Sequence, residues 1–188
     1  MKGLALTDED VARLIEPPIP FEPIEPISVT YSLSKNPVYE KMFKKITLDL
    51  RYIRMAFIWA ENSYAKRRQV GCLIVKNGMI ISDGYNGTPS EFPNVCEDET
   101  NHTLPYVLHA EANSITKLAR HGNSSEGATI YITDEPCLDC SKLIIQSGIK
   151  RVVYCRAYRI HDGIELLNKA GIEVQHLEWK DAPIVACP

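Results

Sequence analysis

From Val70 to Gly87 the chain reads VGCLIVKNGMIISDGYNG, two short apolar runs on either side of Asn77-Gly78. That pair is the strongest short-range hairpin signal a sequence offers. After it the rhythm changes. LHAEANSITKLARHG places Leu108, Ala112, Ile115 and Ala119 on one helical stripe with Gly122 as a stop, and ATIYITD is a β-branched strand. CLDCSKLIIQSG reads as a helix ending at Gly148, KRVVYC as a strand, IHDGIELLNKAG as a helix and IEVQHL as a last strand. A hairpin followed by alternating helix and strand predicts an α/β fold, one sheet with helices packed on its faces.

Upstream, Ile46, Leu50, Ile53, Phe57, Ala60 and Tyr64 follow helical spacing and predict an amphipathic helix. Residues 1–45 differ. EPPIPFEPIEP holds five prolines in eleven residues, a density that excludes regular helix or central strand. The segment reads as an N-terminal Pro-rich extended arm, laid on a partner subunit or free. A single domain over 46–180 and a C-terminal tail over 181–188 complete the expected organisation. Thr88 to Pro105, rich in Pro, Asn, Asp and Glu, reads as one long loop, and loops of that length are usually functional.

Bulk charge narrows the functional classes. A net charge of −3 and a pI near 6.0 give no general attraction to nucleic acid or anionic membrane. Lys66 to Arg68 is the one compact basic cluster. No run approaches the roughly 18 apolar residues of a membrane helix. The first residues, MKGLALTDEDVARL, carry acids where a secretion signal needs apolar residues, so a cytoplasmic protein with reduced cysteines is expected.

Two short motifs carry chemistry. In EPCLDC, Pro136 suits the first turn of a helix, which puts Cys137 and Cys140 on one face of that turn. A helix N-terminus favours thiolates, so the pair alone fits a redox dithiol and a metal site equally well. HAE, at His109 to Glu111, decides between them. An isolated HAE reads first as a capping histidine with a first-turn glutamate. Here it opens one helix, the cysteines open the next, and one strand joins them, so both starts fall at the carboxyl edge of the sheet. One histidine and two cysteines make three donors, whereas a closed structural zinc site takes four. The fourth position is left for water, whose pKa zinc lowers to about 7, with Glu111 as proton carrier. H-x-E followed by P-C-x-x-C is the signature of the zinc nucleobase deaminases.

Over roughly residues 51–177 the chain resembles the cytidine/deoxycytidylate deaminase superfamily, and within it the deoxycytidylate branch. The stretches carrying the resemblance are RRQVGCLIVKNGMIISDGYNGTP, PYVLHAEANSI, GATIYITDEPCLDCSKLIIQSGIKRVVY and AGIEV. The resemblance implies a three-layer α-β-α sandwich with a mixed central sheet of about five strands. It also implies one catalytic Zn2+ on His109, Cys137 and Cys140, with Glu111 moving protons during hydrolysis of dCMP to dUMP and ammonia. Asn86 is expected to hold base or sugar, although Asn-Gly is also a turn pair. Arg68, in preference to Arg67, is expected to grip a 5′-phosphate, with Thr88 adding a hydroxyl and Ala110 and Pro136 completing the substrate-binding set. The resemblance admits a homo-hexamer, dCTP and dTTP as effectors, and Mg2+ accompanying an allosteric nucleotide. Neither nucleic acid nor membrane is an expected partner.

Other readings keep the motif and change its use. A tRNA adenosine deaminase needs a basic surface that this composition does not suggest, while a free-base or nucleoside deaminase needs no phosphate grip. A non-catalytic zinc-stabilised module would have no use for Glu111. Cys96 and His102 lack the further ligands that a second zinc would need. Cys72 and Cys155 fall in apolar strands and read as core, and Cys187 as a tail thiol.

Overall fold

The computed structural model describes residues 37–158 and 160–178. The hairpin forms: β1 (Gly71–Lys76) pairs antiparallel with β2 (Met79–Tyr85), and the turn residues Asn77 and Gly78 take φ of 53° and 76°. Both angles lie in the left-handed region that this residue pair tolerates. The other edge of β1 pairs antiparallel with β3 (Thr129–Asp134). Next come β4 (Arg151–Arg156) and β5 (Glu173–His176), each parallel to its inner neighbour. The sheet is therefore mixed, with the order β2-β1-β3-β4-β5.

Strand alternation sends side chains to two separate cores. Leu73, Val75, Tyr131, Val153 and Cys155 meet Leu50, Ile53 and Ala56 of α1 (Pro37–Ala60) on one face. Cys72, Ile74, Ile130, Ile132 and Val152 point the other way. They pack beneath α2 (Ala110–Arg120), α3 (Leu138–Gln146) and α4 (Asp162–Lys169) through Leu118, Ile144 and Leu167. This is the expected three-layer sandwich. Cys72 and Cys155 are core residues, as expected. Among the described residues no helix is long and apolar enough to cross a membrane.

Several local expectations need correction. Residues 37–45, assigned to the extended arm, are helical. Pro37 stands at the first helical position, where its missing N–H costs nothing, and Glu40 pairs with Lys44 one turn on. The rest of the arm and the tail over 181–188, with Cys187, lie outside the described residues. Tyr64 does not continue the α1 stripe: the helix ends at Ala60, and Tyr64 is exposed. There the Ser63 hydroxyl donates to the Asn86 carbonyl at 2.7 Å and turns the chain toward the sheet edge. The buried side of α2 is Ala110, Glu111, Ser114 and Leu118, rotated from the predicted stripe. Apolar periodicity does not mark this face, because two of these four residues are polar.

One buried polar network ties α1 to the sheet. Arg151 donates two hydrogen bonds to Asp49, at 2.8 and 2.7 Å, and a third to Glu173. The Tyr131 hydroxyl donates to Asp49 at 2.7 Å, and burial together with that carboxylate pushes its pKa up. Both charges of the Asp49–Arg151 pair are almost fully buried. Removing one partner would strand the other in a low-dielectric core. Asp49→Ala is expected to lower the unfolding free energy by about 3 kcal/mol, read from urea denaturation, because among the described residues Arg151 keeps only the half-exposed Glu173 as a counter-ion.

Candidate metal centre

Two helices start at one place. α2 follows His109 and α3 follows Cys137, and each of these is the N-cap residue with extended backbone. Neither side chain makes a capping hydrogen bond, so His109 is not the capping histidine that an isolated HAE suggests. Pro136 stands one residue before the cap and is fully buried, not in the first turn as expected. Two glycines let the helices approach. A Cβ on Gly84 of β2 would lie 2.3 Å from the Ala110 carbonyl oxygen, and one on Gly163 of α4 would lie 2.2 Å from that of Pro136. No larger residue fits either place without displacing backbone.

His109 Nδ1 lies 3.5 Å from the sulfur of Cys137 and 3.5 Å from that of Cys140. All three donor atoms lie within 4.8 Å of one another. A tetrahedral zinc, about 2.3 Å from sulfur and about 2.0–2.1 Å from nitrogen, would set adjacent S and N donors roughly 3.6 Å apart. The donor set therefore fits zinc in type and spacing. Among the described residues this is the one His/Cys/Asp/Glu group so placed. Cys140 is buried whereas His109 and Cys137 are exposed, so the cluster opens on one side to solvent.

Electrostatics divides the two thiols. Hydrogen bonds from Cys140 and His109 lower the Cys137 pKa to about 4, making it the thiolate of the pair. Cys140, sharing that proton and buried, is pushed up. The hydrogen bond to Cys137 raises His109 despite partial burial. Glu111 is 4% exposed and contributes no donor to the cluster. Burial raises its pKa to about 7, although its own helical N–H and His109 pull the other way. At neutral pH its carboxyl stands between its two protonation states, as proton transfer in either direction requires.

The remaining predicted residues are distributed around this centre. Ala110 is fully buried at the start of α2. The Thr88 hydroxyl is buried and has no hydrogen-bond partner among the described residues. Asn86 spends both ends of its carboxamide on a neighbouring backbone, accepting from the Val70 N–H at 2.8 Å and donating to the Arg68 carbonyl at 2.9 Å. The turn reading is thus accompanied by a clamping role. Arg68 is half exposed, and its Nε donates to Asp134 at 2.6 Å. Cys96 is buried and its sulfur accepts from the Thr88 N–H, while His102 contacts Thr100.

Three acids have no part in the site as the sequence is read. Asp134 also binds Arg156. Glu135 holds the Tyr158 N–H at 2.9 Å and the His161 ring at 2.8 Å. Glu97 is buried in the long loop and accepts from the N–H groups of Lys66 and Arg67. Asp134 and Glu135 could have been suspected from their place at the end of a strand pointing into the site. Nothing in the local pattern marks Glu97.

Comparison with known proteins agrees with this geometry. Residues 46–156 match the family model of the cytidine and deoxycytidylate deaminase zinc-binding region. The chain is 34% identical over 145 residues to deoxycytidylate deaminase of Saccharomyces cerevisiae, covering 72% of this chain and 46% of the yeast protein. It is also 34% identical over 172 residues to that of Enterobacteria phage T4, covering 69% of this chain and 89% of the phage protein. A crystal structure of dCMP deaminase from the cyanophage S-TIM5, in complex with dCMP and dUMP, superposes with a TM-score of 0.66 at 41% identity. The match covers 76% of this chain and 98% of that one.

Loading the centre with zinc must remove the proton from Cys140 and any proton on His109, both held above their ordinary pKa. Cys137, already a thiolate, adds nothing to this dependence. Zinc affinity is therefore expected to rise by about tenfold or more per pH unit between about pH 6 and pH 8, measured by competition with a chromophoric chelator. A pH-independent affinity would contradict the thiol assignments.

Proposed function

The chain belongs to the cytidine and deoxycytidylate deaminase family, and on that premise we propose that it hydrolyses dCMP to dUMP and ammonia. The observation that carries this reading is Glu111, a buried carboxyl with a pKa near 7 set beside three zinc donors and not counted among them. The likeness to a dCMP deaminase bound to dCMP and dUMP supports the choice of substrate.

His109, Cys137 and Cys140 would hold the zinc, which when bound supplies the Lewis acidity that makes a water nucleophilic at neutral pH. Glu111 takes a proton from the water that attacks C4 and places one on ring N3. It then takes the remaining proton from the new C4 hydroxyl and delivers it to the amino nitrogen, so that C4 becomes a carbonyl as the C–N bond breaks and ammonia leaves. A carboxyl poised near neutrality can act in each direction, because neither protonation state is strongly favoured. The Thr88 hydroxyl, buried and without a partner among the described residues, and the remaining hydrogen-bonding capacity of Asn86 would serve base or sugar. Ala110 and Pro136, buried at the two helix starts, would wall the site.

Arg68 is the phosphate ligand in this reading. It shares Asp134 with Arg156, and two guanidiniums on one carboxylate leave the trio net positive. A dianionic phosphate would complement that charge and take the donors that Asp134 does not use. A homo-hexamer, regulation by dCTP and dTTP with Mg2+, and a cytoplasmic location belong to the same proposal and rest on family resemblance.

The direct test follows ammonia release from dCMP, dCTP, deoxycytidine, cytosine and tRNA. Turnover of dCMP in clear preference is expected, and activity confined to tRNA or a free base would overturn the assignment. Glu111→Ala is expected to retain zinc and lose about 10²–10⁴-fold in kcat, whereas Cys137→Ser loses the metal. Full activity of the Glu111 variant would exclude the proton-carrier role.

A further inference from the structure

The long loop over residues 88–105 contributes no zinc donor, yet it delivers a buried carboxylate. Glu97 is 8% exposed. Its Oε1 accepts from the Lys66 N–H at 3.0 Å and the Arg67 N–H at 3.2 Å, and its Oε2 accepts from Lys66 at 3.2 Å. Among the described residues its partners are backbone amides immediately before Arg68. Burying a carboxylate is costly unless such donors compensate it, so the contact constrains both loops.

The segment that carries Glu97 is itself braced. Glu97 bridges to Thr103, and Leu104 N–H donates to the Cys96 carbonyl at 2.9 Å. Within the enclosed turn, Asp98 Oδ1 accepts from the N–H groups of Thr100 and His102, at 2.8 and 2.9 Å. On the far side of Arg68, Asn86 clamps the Arg68 carbonyl and the Val70 N–H, while Arg156 donates to the Gln69 carbonyl at 2.8 Å. Backbone groups from Lys66 to Val70 are thus tethered at each residue, and Asp134 orients the guanidinium. A forked donor recognises phosphate only if its aim is fixed, and misplacement by about 1 Å costs on the order of 10²-fold.

We propose that Glu97 is a positioning residue for the 5′-phosphate grip, fixing the Lys66–Arg67 backbone and through it the aim of Arg68. The inference rests on the phosphate reading of Arg68, and one double-mutant cycle tests the two separately. KM and kcat for dCMP are measured in the zinc-loaded full chain, in Arg68→Ala, in Glu97→Gln and in the double variant. Gln keeps the shape but turns an amide N–H₂ toward donors that need an acceptor. Glu97→Gln is expected to raise KM about tenfold with kcat little changed, and to add nothing in the Arg68→Ala background. Equal increases in both backgrounds would make Glu97 a general structural brace and overturn the proposal. So would an unchanged KM in Glu97→Gln while Arg68→Ala raises it. An unchanged KM in Arg68→Ala would remove the phosphate reading and the proposal with it. Should Glu97→Gln fail to fold, Glu97→Asp, which keeps the charge and shortens the reach, enters the same cycle.

Discussion

Close backbone approach at a few glycines is the constraint on which the arrangement depends. A Cβ at Gly71 would meet the Ala56 carbonyl oxygen at 1.9 Å, so α1 lies against β1 with no side chain between them. Gly84 does the same for α2 and Gly163 for the link between α4 and the start of α3. His109 and Cys137 are N-cap residues, so their positions follow directly from where those helices begin. Push either helix outward by a methyl group and the two 3.5 Å nitrogen–sulfur contacts open. Metal geometry is thus set at a distance, by packing on the sheet.

That packing also explains why the interior of α2 is polar. Ser114 is fully buried, contacts the Cys72 sulfur at 3.2 Å and donates to the Glu111 carbonyl at 2.9 Å. The Ser82 hydroxyl on β2 donates to the Ser114 carbonyl at 2.8 Å. Small hydroxyl residues let a helix sit close to a strand while keeping each buried polar atom paired. Glu111 enters the interior on the same face, and its raised pKa follows from that position.

The layer structure and the metal cluster were legible in sequence because both obey short-range rules. Asn77-Gly78 announced the hairpin, β-branched runs announced β3 and β4, and two helix starts separated by one strand brought His109 to the cysteines. Where the sequence misled, a non-periodic rule was in control. The inward face of α2 escapes apolar counting because Glu111 and Ser114 face inward, and the start of α1 escapes because Pro37, at a first helical position, adjoins a proline-dense arm. Glu97 escaped altogether. Its partners are backbone amides about thirty positions earlier, and backbone donors carry no signature in sequence.

Charge balance links the metal cluster to the choice of a glutamate beside it. Two thiolates and a neutral imidazole would cancel the charge of a zinc ion, leaving the centre close to neutral. A carboxyl next to a net positive centre would be held ionised and would give up its acidity. Beside a neutral one, burial is left as the main influence on Glu111, and it acts to raise the carboxyl. Positive charge is concentrated instead on Arg68 and Arg156, which share Asp134 at the carboxyl edge of β3 and β4. A nucleotide with its base at the zinc and its phosphate at Arg68 would then meet neutrality at the reacting ring and attraction at the far end. In the proposed reading, the group that changes protonation state would thus lie apart from the groups that keep theirs.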